Sequence, residues 1–90
     1  MHYVIHALDR PDAGDLRDQT RPDELAYLAG VAVTCGGPLL DDDGQMCGSL
    51  IVLDVDTREA AEEFAAGDPY AEAGLFERVK ITGFRPLLGT

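Results

Sequence analysis

Residues 46–56, Met-Cys-Gly-Ser-Leu-Ile-Val-Leu-Asp-Val-Asp, limit the choice of fold more than any other stretch. The run reads as a strand. Alternation puts Met46, Gly48, Leu50, Val52 and Asp54 on one face, and Cys47, Ser49, Ile51, Leu53 and Val55 on the other. Both faces are apolar in the middle, so this strand asks for cover on both sides. Residues 2–8 repeat the pattern, with Tyr3, Ile5 and Ala7 set against Val4, His6 and Leu8. Ninety residues make one domain, spanning 1–90.

The remaining segments supply the other layer. Asp9–Gly14 breaks the first strand as a loop. Residues 15–31 read as a helix in which Leu16, Leu25, Leu28 and Ala29 are apolar, and Arg17, Asp18, Arg21 and Asp23 are polar. Pro22 predicts a restart, with Thr20 as N-cap and Pro22 in the first turn, and Gly30 suits a C-terminal cap. Residues 31–40 read as a second strand interrupted at Gly36-Gly37-Pro38, where a bulge or an end of pairing is expected. Asp41-Asp42-Asp43-Gly44 is a solvated turn, because it lacks the alternating ligands and distal Glu of a calcium loop. Thr57 or Asp56 caps a second helix with Ala60, Ala61, Phe64 and Ala65 on its buried side. In Gly67–Gly74, Asp68 ends that helix or caps the next turn, and Pro69 sits in a first helical turn. Residues 76–86 form the last strand, with Pro86 stopping the pairing or lying on an edge. The order β-α-β-β-α-β is that of a ferredoxin-like α+β fold, an antiparallel sheet with both helices on one face. The uncovered face then needs a partner, and a second copy, giving a homodimer, is the simplest one.

Charge removes whole classes of partner. Seventeen acids stand against seven Lys and Arg, a net charge of −10. So few basic groups cannot build a broad phosphate-binding face, which argues against nucleic acid and against anionic membrane surfaces. No apolar run spans a bilayer, and Met1–His6 lacks the pattern of a signal peptide, so a cytoplasmic location is expected. Cys35 and Cys47 are too few for a disulfide framework or a structural zinc site, and read as reduced, buried thiols. Neither the cysteines nor His2 and His6 show ligand spacing, so neither metal nor cofactor is expected.

Several short motifs stand in a recognisable order. They are Tyr3-Val4-Ile5 ending near Asp9, Arg17 and Arg21-Pro22 ahead of Leu25, Gly37-Pro38, Gly48-Ser49, and Asp68-Pro69-Tyr70 with Ala73-Gly74. Through them, nearly the whole chain resembles the YciI-like family, the YCII-related domain. The resemblance implies a dimeric α/β-barrel of ferredoxin-like protomers and a pocket with a His–Asp pair. Most members have no assigned reaction, and one branch is similar to an enzyme that eliminates chloride from a chlorinated hydroxyquinone. The aspartate of the pair maps onto Asp68. The histidine position, three residues after Arg21, holds Glu24 instead. A His–Asp pair passes a proton near neutrality, whereas two adjacent carboxylates repel and one of them holds its proton. His6 is the other candidate base if it reaches the pocket from the sheet; its plainer role is that of a hydrogen-bonded strand histidine.

The other matched residues also admit two roles. Arg17 and Arg21 can clamp a carboxylate or phenolate, or pair on the surface with Asp18 and Asp23. Gly37-Pro38 and Gly48 let backbones approach or border a ligand. Ser49 can donate to a ligand or bond to backbone, and Tyr70 can pack or offer its hydroxyl. Two functions follow from these residues. One is a lyase or isomerase acting on a small aromatic or hydroxy-acid substrate, using Asp68 with Glu24 or His6. The other is a non-catalytic small-ligand or accessory module that has lost its base. A purely structural dimer is a third outcome, favoured if no cavity forms.

Overall fold

The computed structural model describes residues 1–89. Its elements are β1 (His2–Asp9), α1 (Leu16–Ala29), β2 (Val33–Leu40), β3 (Met46–Asp54), α2 (Arg58–Gly67), α3 (Pro69–Glu72) and β4 (Phe76–Phe84). The strands form one sheet in the order β2-β3-β1-β4, with every neighbouring pair antiparallel. This is the ferredoxin-like arrangement, with the helices on one face.

Register decides what each face carries. Ile5 pairs with Ile51 and Ile81, whereas His6 pairs with Leu50 and Lys80. The first row therefore points to the helices and the second points away. Tyr3, Ile5, Ile51 and Leu53 from the sheet close on Ala61 and Phe64 of α2 to make the core. Tyr27 of α1 stacks on Phe64 at 4.9 Å and donates its hydroxyl to the Phe64 carbonyl. Thr57 caps α2 by accepting from the Ala60 amide. At Gly48, β1 and β3 lie so close that a Cβ would overlap the Ala7 carbonyl oxygen. The Asp41–Gly44 turn is closed from within, since Asp41 Oδ1 accepts from the Asp43 and Gln45 amides.

Four expectations need correction. Helix α1 does not restart at Pro22 but runs through it. Both Pro22 and Asp18 are exposed, so the Asp18 carbonyl that Pro22 cannot bond is left to water. Strand β2 is not interrupted at Gly36-Gly37-Pro38. Its register shifts flank that stretch, between Val33 and Cys35 and between Leu39 and Leu40. Pro38 is accommodated because β2 is an edge strand. Cys35 is exposed, not buried, and neither cysteine is bridged. Finally, the apolar residues of α1 are not its buried ones: Leu25 is 54% exposed, while Arg17 and Glu24 are buried.

Candidate functional site

The cavity-facing stripe of α1 carries three charged side chains and a leucine, of which Arg17 and Glu24 are buried. Arg17, Arg21, Glu24 and Leu28 stand at i, i+4, i+7 and i+11, which places them in one stripe along the helix. Between this stripe and the β2–β3 edge lies a cavity of about 210 Å³. Gly36, Gly37 and Pro38 of β2 form one wall, Ser49 and Ile51 of β3 form the floor, and Tyr70 closes one end. Strand alternation explains the floor, because Ser49 and Ile51 share the helix-facing side. Pairing brings Pro38 opposite Ser49 and Gly36 opposite Ile51, which aligns the wall with it.

Arg17 is the hub of this site. Its Nε and Nη2 donate to the two Asp9 carboxylate oxygens at 2.8 and 2.7 Å, a bidentate pair. Nη2 also donates to Ser49 Oγ at 3.0 Å. The Tyr70 ring lies against the guanidinium, 4.5 Å from its carbon to the ring centroid. Burial alone would lower the pKa of Arg17, but the hydrogen bonds and charge of Asp9 outweigh it and raise the value. Asp9 reaches this position because alternation along β1 puts it on the helix side, beyond a register shift between Leu8 and Asp9.

Two buried carboxyl groups meet at one backbone amide. Asp68 is both the C-cap of α2 and the N-cap of α3, held extended before Pro69. Its Oδ1 accepts from the Tyr70 amide at 2.8 Å, and Glu24 Oε1 accepts from the same amide at 3.4 Å. Glu24 Oε2 is buried, and no donor among the described residues reaches it. Burial pushes the Glu24 pKa up to about 8. Asp68 adds to this, as an acceptor for the protonated form and as a like charge. Glu24 therefore holds a proton at neutral pH. The Tyr70 hydroxyl is also pushed up, by burial first, against the downward pull of Arg17.

The structure thus brings Arg17, Arg21, Glu24, Gly37, Pro38, Ser49 and Tyr70 to one cavity. Asp68 stands behind Glu24 rather than on the cavity wall. His6 does not join them. It is exposed on the opposite side of the sheet, because it alternates with Ile5 and Ala7, which are buried beneath the helices. Arg17 is not free to clamp a ligand with its paired donors, which Asp9 occupies, and it does not pair with Asp18 or Asp23. Arg21 makes no ion pair among the described residues. Gly37 has open space around its Cα, so its role is room for the cavity and not close backbone approach. Sequence reasoning named Asp9 only as the end of a matched strand and gave it no role in the site. Asp9 carried a faint signal, an acid ending a strand just before an Arg-bearing helix. No group of three or more His, Cys, Asp or Glu among the described residues is placed to hold a metal ion.

Fold and cavity together define a ferredoxin-like protein with a ring-sized cavity between helix and sheet, largely apolar and bearing a few charged and hydroxyl groups. The chain belongs to the YCII-related domain family, whose model matches residues 1–85. It is 36% identical over 95 residues to Protein YciI of Escherichia coli, across 94% of this chain and 97% of that one. An uncharacterized protein of Haemophilus influenzae is 33% identical over the same span. Among solved structures, the 5-chloro-2-hydroxyhydroquinone dehydrochlorinase of Burkholderia phenoliruptrix, in complex with 2,5-dihydroxybenzoquinone, superposes with a TM-score of 0.87. That match has 28% identity and covers 94% of each chain. A Mycobacterium tuberculosis protein, 20% identical with a TM-score of 0.56 over 98% of this chain and 95% of its own, shares the fold alone.

Proposed function

We propose that this chain is a small-molecule enzyme of the lyase or isomerase kind, moving a proton at Glu24 with Asp68 as its partner. One arrangement carries the reading: Glu24 is buried on the cavity wall, shares the Tyr70 amide with Asp68, and has its pKa pushed up to about 8 by burial and by that neighbour. General acid–base chemistry works best with a group poised near the operating pH, and an ordinary Glu is not. Protonated, Glu24 can deliver a proton to a bound molecule; ionised, it can take one. Arg17 and Arg21 supply positive charge for an oxygen that gains negative charge during the transfer.

The size of the site supports a substrate with one ring or a small hydroxy acid. A cavity of roughly 150 Å³ accepts a benzene ring, and this one is about 210 Å³. The likeness to a dehydrochlorinase bound to a dihydroxybenzoquinone points to the same range of molecules. The test is hydrogen–deuterium exchange, followed by NMR, of hydroxyquinols and hydroxy acids incubated with the protein in deuterated buffer. Exchange by the wild type should fall about 10²–10⁴-fold in Glu24→Gln. Exchange that persists in that variant would remove Glu24 from the mechanism. A second reading, a ligand-binding or accessory module, draws on the presence of a carboxyl where the family resemblance implies histidine. It predicts saturable binding of the same molecules without exchange.

The assembly we propose is a homodimer formed through the uncovered sheet face. Val4, Leu8, Leu39 and Leu50 lie there only half-buried, and no helix covers them. The two unbridged thiols fit a reducing, cytoplasmic setting.

A further inference from the structure

The open face of the sheet carries its positive charge along one edge. On β4, Arg78 pairs with Leu8 and Lys80 with His6, so both cations share the face of the half-buried Val4, Leu8 and Leu50. Neither makes an ion pair among the described residues. Among the described strand residues this face holds one carboxylate, Asp54, at the end where it meets the Met1 amine. A chain with seventeen acids against seven Lys and Arg thus offers an apolar face edged by unpaired cations. Acid waits beyond the opposite edge. Leu39, Gly48, Leu8 and Arg78 make one row across the sheet, and β2 runs from Leu39 into the Asp41–Gly44 turn at that same end. Asp41 is spent in closing the turn, whereas Asp42 and Asp43 are exposed and make no ion pair among the described residues.

Charge chooses between the two ways a second copy can stack on this face with two-fold symmetry. With the dyad across the strands, β4 lies on the partner's β4, and two copies each of Arg78 and Lys80 crowd together. With the dyad along the strands, β4 lies over the partner's β2 at the same height. There β2 presents the uncharged Cys35, Gly37 and Leu39, and the acidic turn follows directly. We infer that the second copy docks in this second way, so that Asp42 and Asp43 at the hairpin tip of each copy pair with Arg78 and Lys80 of the other. The inference rests on the homodimer proposed above and supplies its orientation. Apolar contact at the centre of the face holds the copies together, and the charges at its margins fix how they are turned. Aligned sheets pack about 10 Å apart, a gap that Arg and Lys stems can bridge from an edge strand.

Charge reversal tests the orientation, read as the dimer Kd by sedimentation equilibrium. Asp42→Lys with Asp43→Lys leaves Asp41 to close the turn, and should raise the Kd about tenfold or more, since each lost pair is counted twice by symmetry. This variant is less acidic, so relief of overall repulsion alone would tighten the dimer; the expected weakening has the opposite sign. Arg78→Glu with Lys80→Glu should weaken the dimer likewise. A chain carrying all four changes restores opposite charges and the original net charge, and should dimerise within about threefold of the wild type. If the β4 changes disturb folding, the turn variant decides alone. A dimer whose Kd is unmoved or lowered by Asp42→Lys with Asp43→Lys overturns the orientation and leaves the homodimer standing, as does failure of the folded fourfold variant to recover. A monomeric wild type overturns both.

Discussion

Glu24 binds a proton in the folded protein that it has already released in the unfolded chain at the same pH. Its folded pKa of about 8 lies above the ordinary value of 4.5, and the sign of the stability effect follows. The stabilisation of the protonated form is complete below about 4.5 and is lost as pH rises through about 8. The wild-type melting temperature should therefore fall between pH 5 and pH 9, by about 4–8 °C for each kcal/mol involved in a domain of this size. Glu24→Gln should flatten that dependence; a decline as steep as the wild type's would refute the assignment. Glu24→His should move the midpoint of any pH–rate profile from about 8 toward about 6.5. Asp68→Ala removes the nearer of the two acceptors for the Tyr70 amide and should cost about 0.5–2 kcal/mol in chemical denaturation. Much of this was legible in the sequence. Pro69 after Asp68 announced a cap, and Glu24 in the place of a histidine raised the question of a carboxyl pair. Asp9 was only faintly legible as the partner of Arg17, because the two meet only once the loop between β1 and α1 has folded back.

Helix α1 shows why polarity is a poor guide to orientation when a helix borders a cavity. Sequence reasoning listed Leu16, Leu25, Leu28 and Ala29 as its apolar positions, and of these Leu28 does pack against the core while Leu25 is exposed. Instead Arg17 and Glu24 are turned inward, and their burial is offset by Asp9, Ser49 and the Tyr70 amide. The i, i+4, i+7 spacing of Arg17, Arg21 and Glu24 was the signal available; the three were singled out as candidate site residues one by one, through the family resemblance, and not as one helical stripe. Pro22 lies on the exposed side, so Pro22→Ala should restore a backbone hydrogen bond, raise the melting temperature and leave ligand binding unchanged. A fall in melting temperature would mean that Pro22 is needed for the course of the helix. Gly48→Ala tests the sheet in the same way. Its methyl group would meet the Ala7 carbonyl oxygen where β1 and β3 run closest, at a cost of about 1–3 kcal/mol by overpacking.

At the scale of the whole molecule, the sequence announced the fold through two strands that are apolar on both sides, and the structure divides those sides between different tasks. Ile51 belongs to the core and Leu50 to the open face, so they give different outcomes when made acidic. Ile51→Asp should unfold the protein, because it buries an unpaired charge. Leu50→Asp should leave a folded chain that sediments near 9.7 kDa, where the wild type is expected to sediment at twice that mass. A wild type that is monomeric at micromolar concentration would overturn the dimer. The pleat of β3 has a consequence for how such a protein can change over time. Ser49 and Leu50 are consecutive codons, yet one side chain lines the cavity and the other lies on the open face where we propose that a second copy docks. Mutation can alter what is bound without disturbing assembly, or alter assembly without disturbing what is bound, by moving one position along the gene. A deletion of a single residue upstream in this strand would have the opposite effect, exchanging the two roles and forfeiting both.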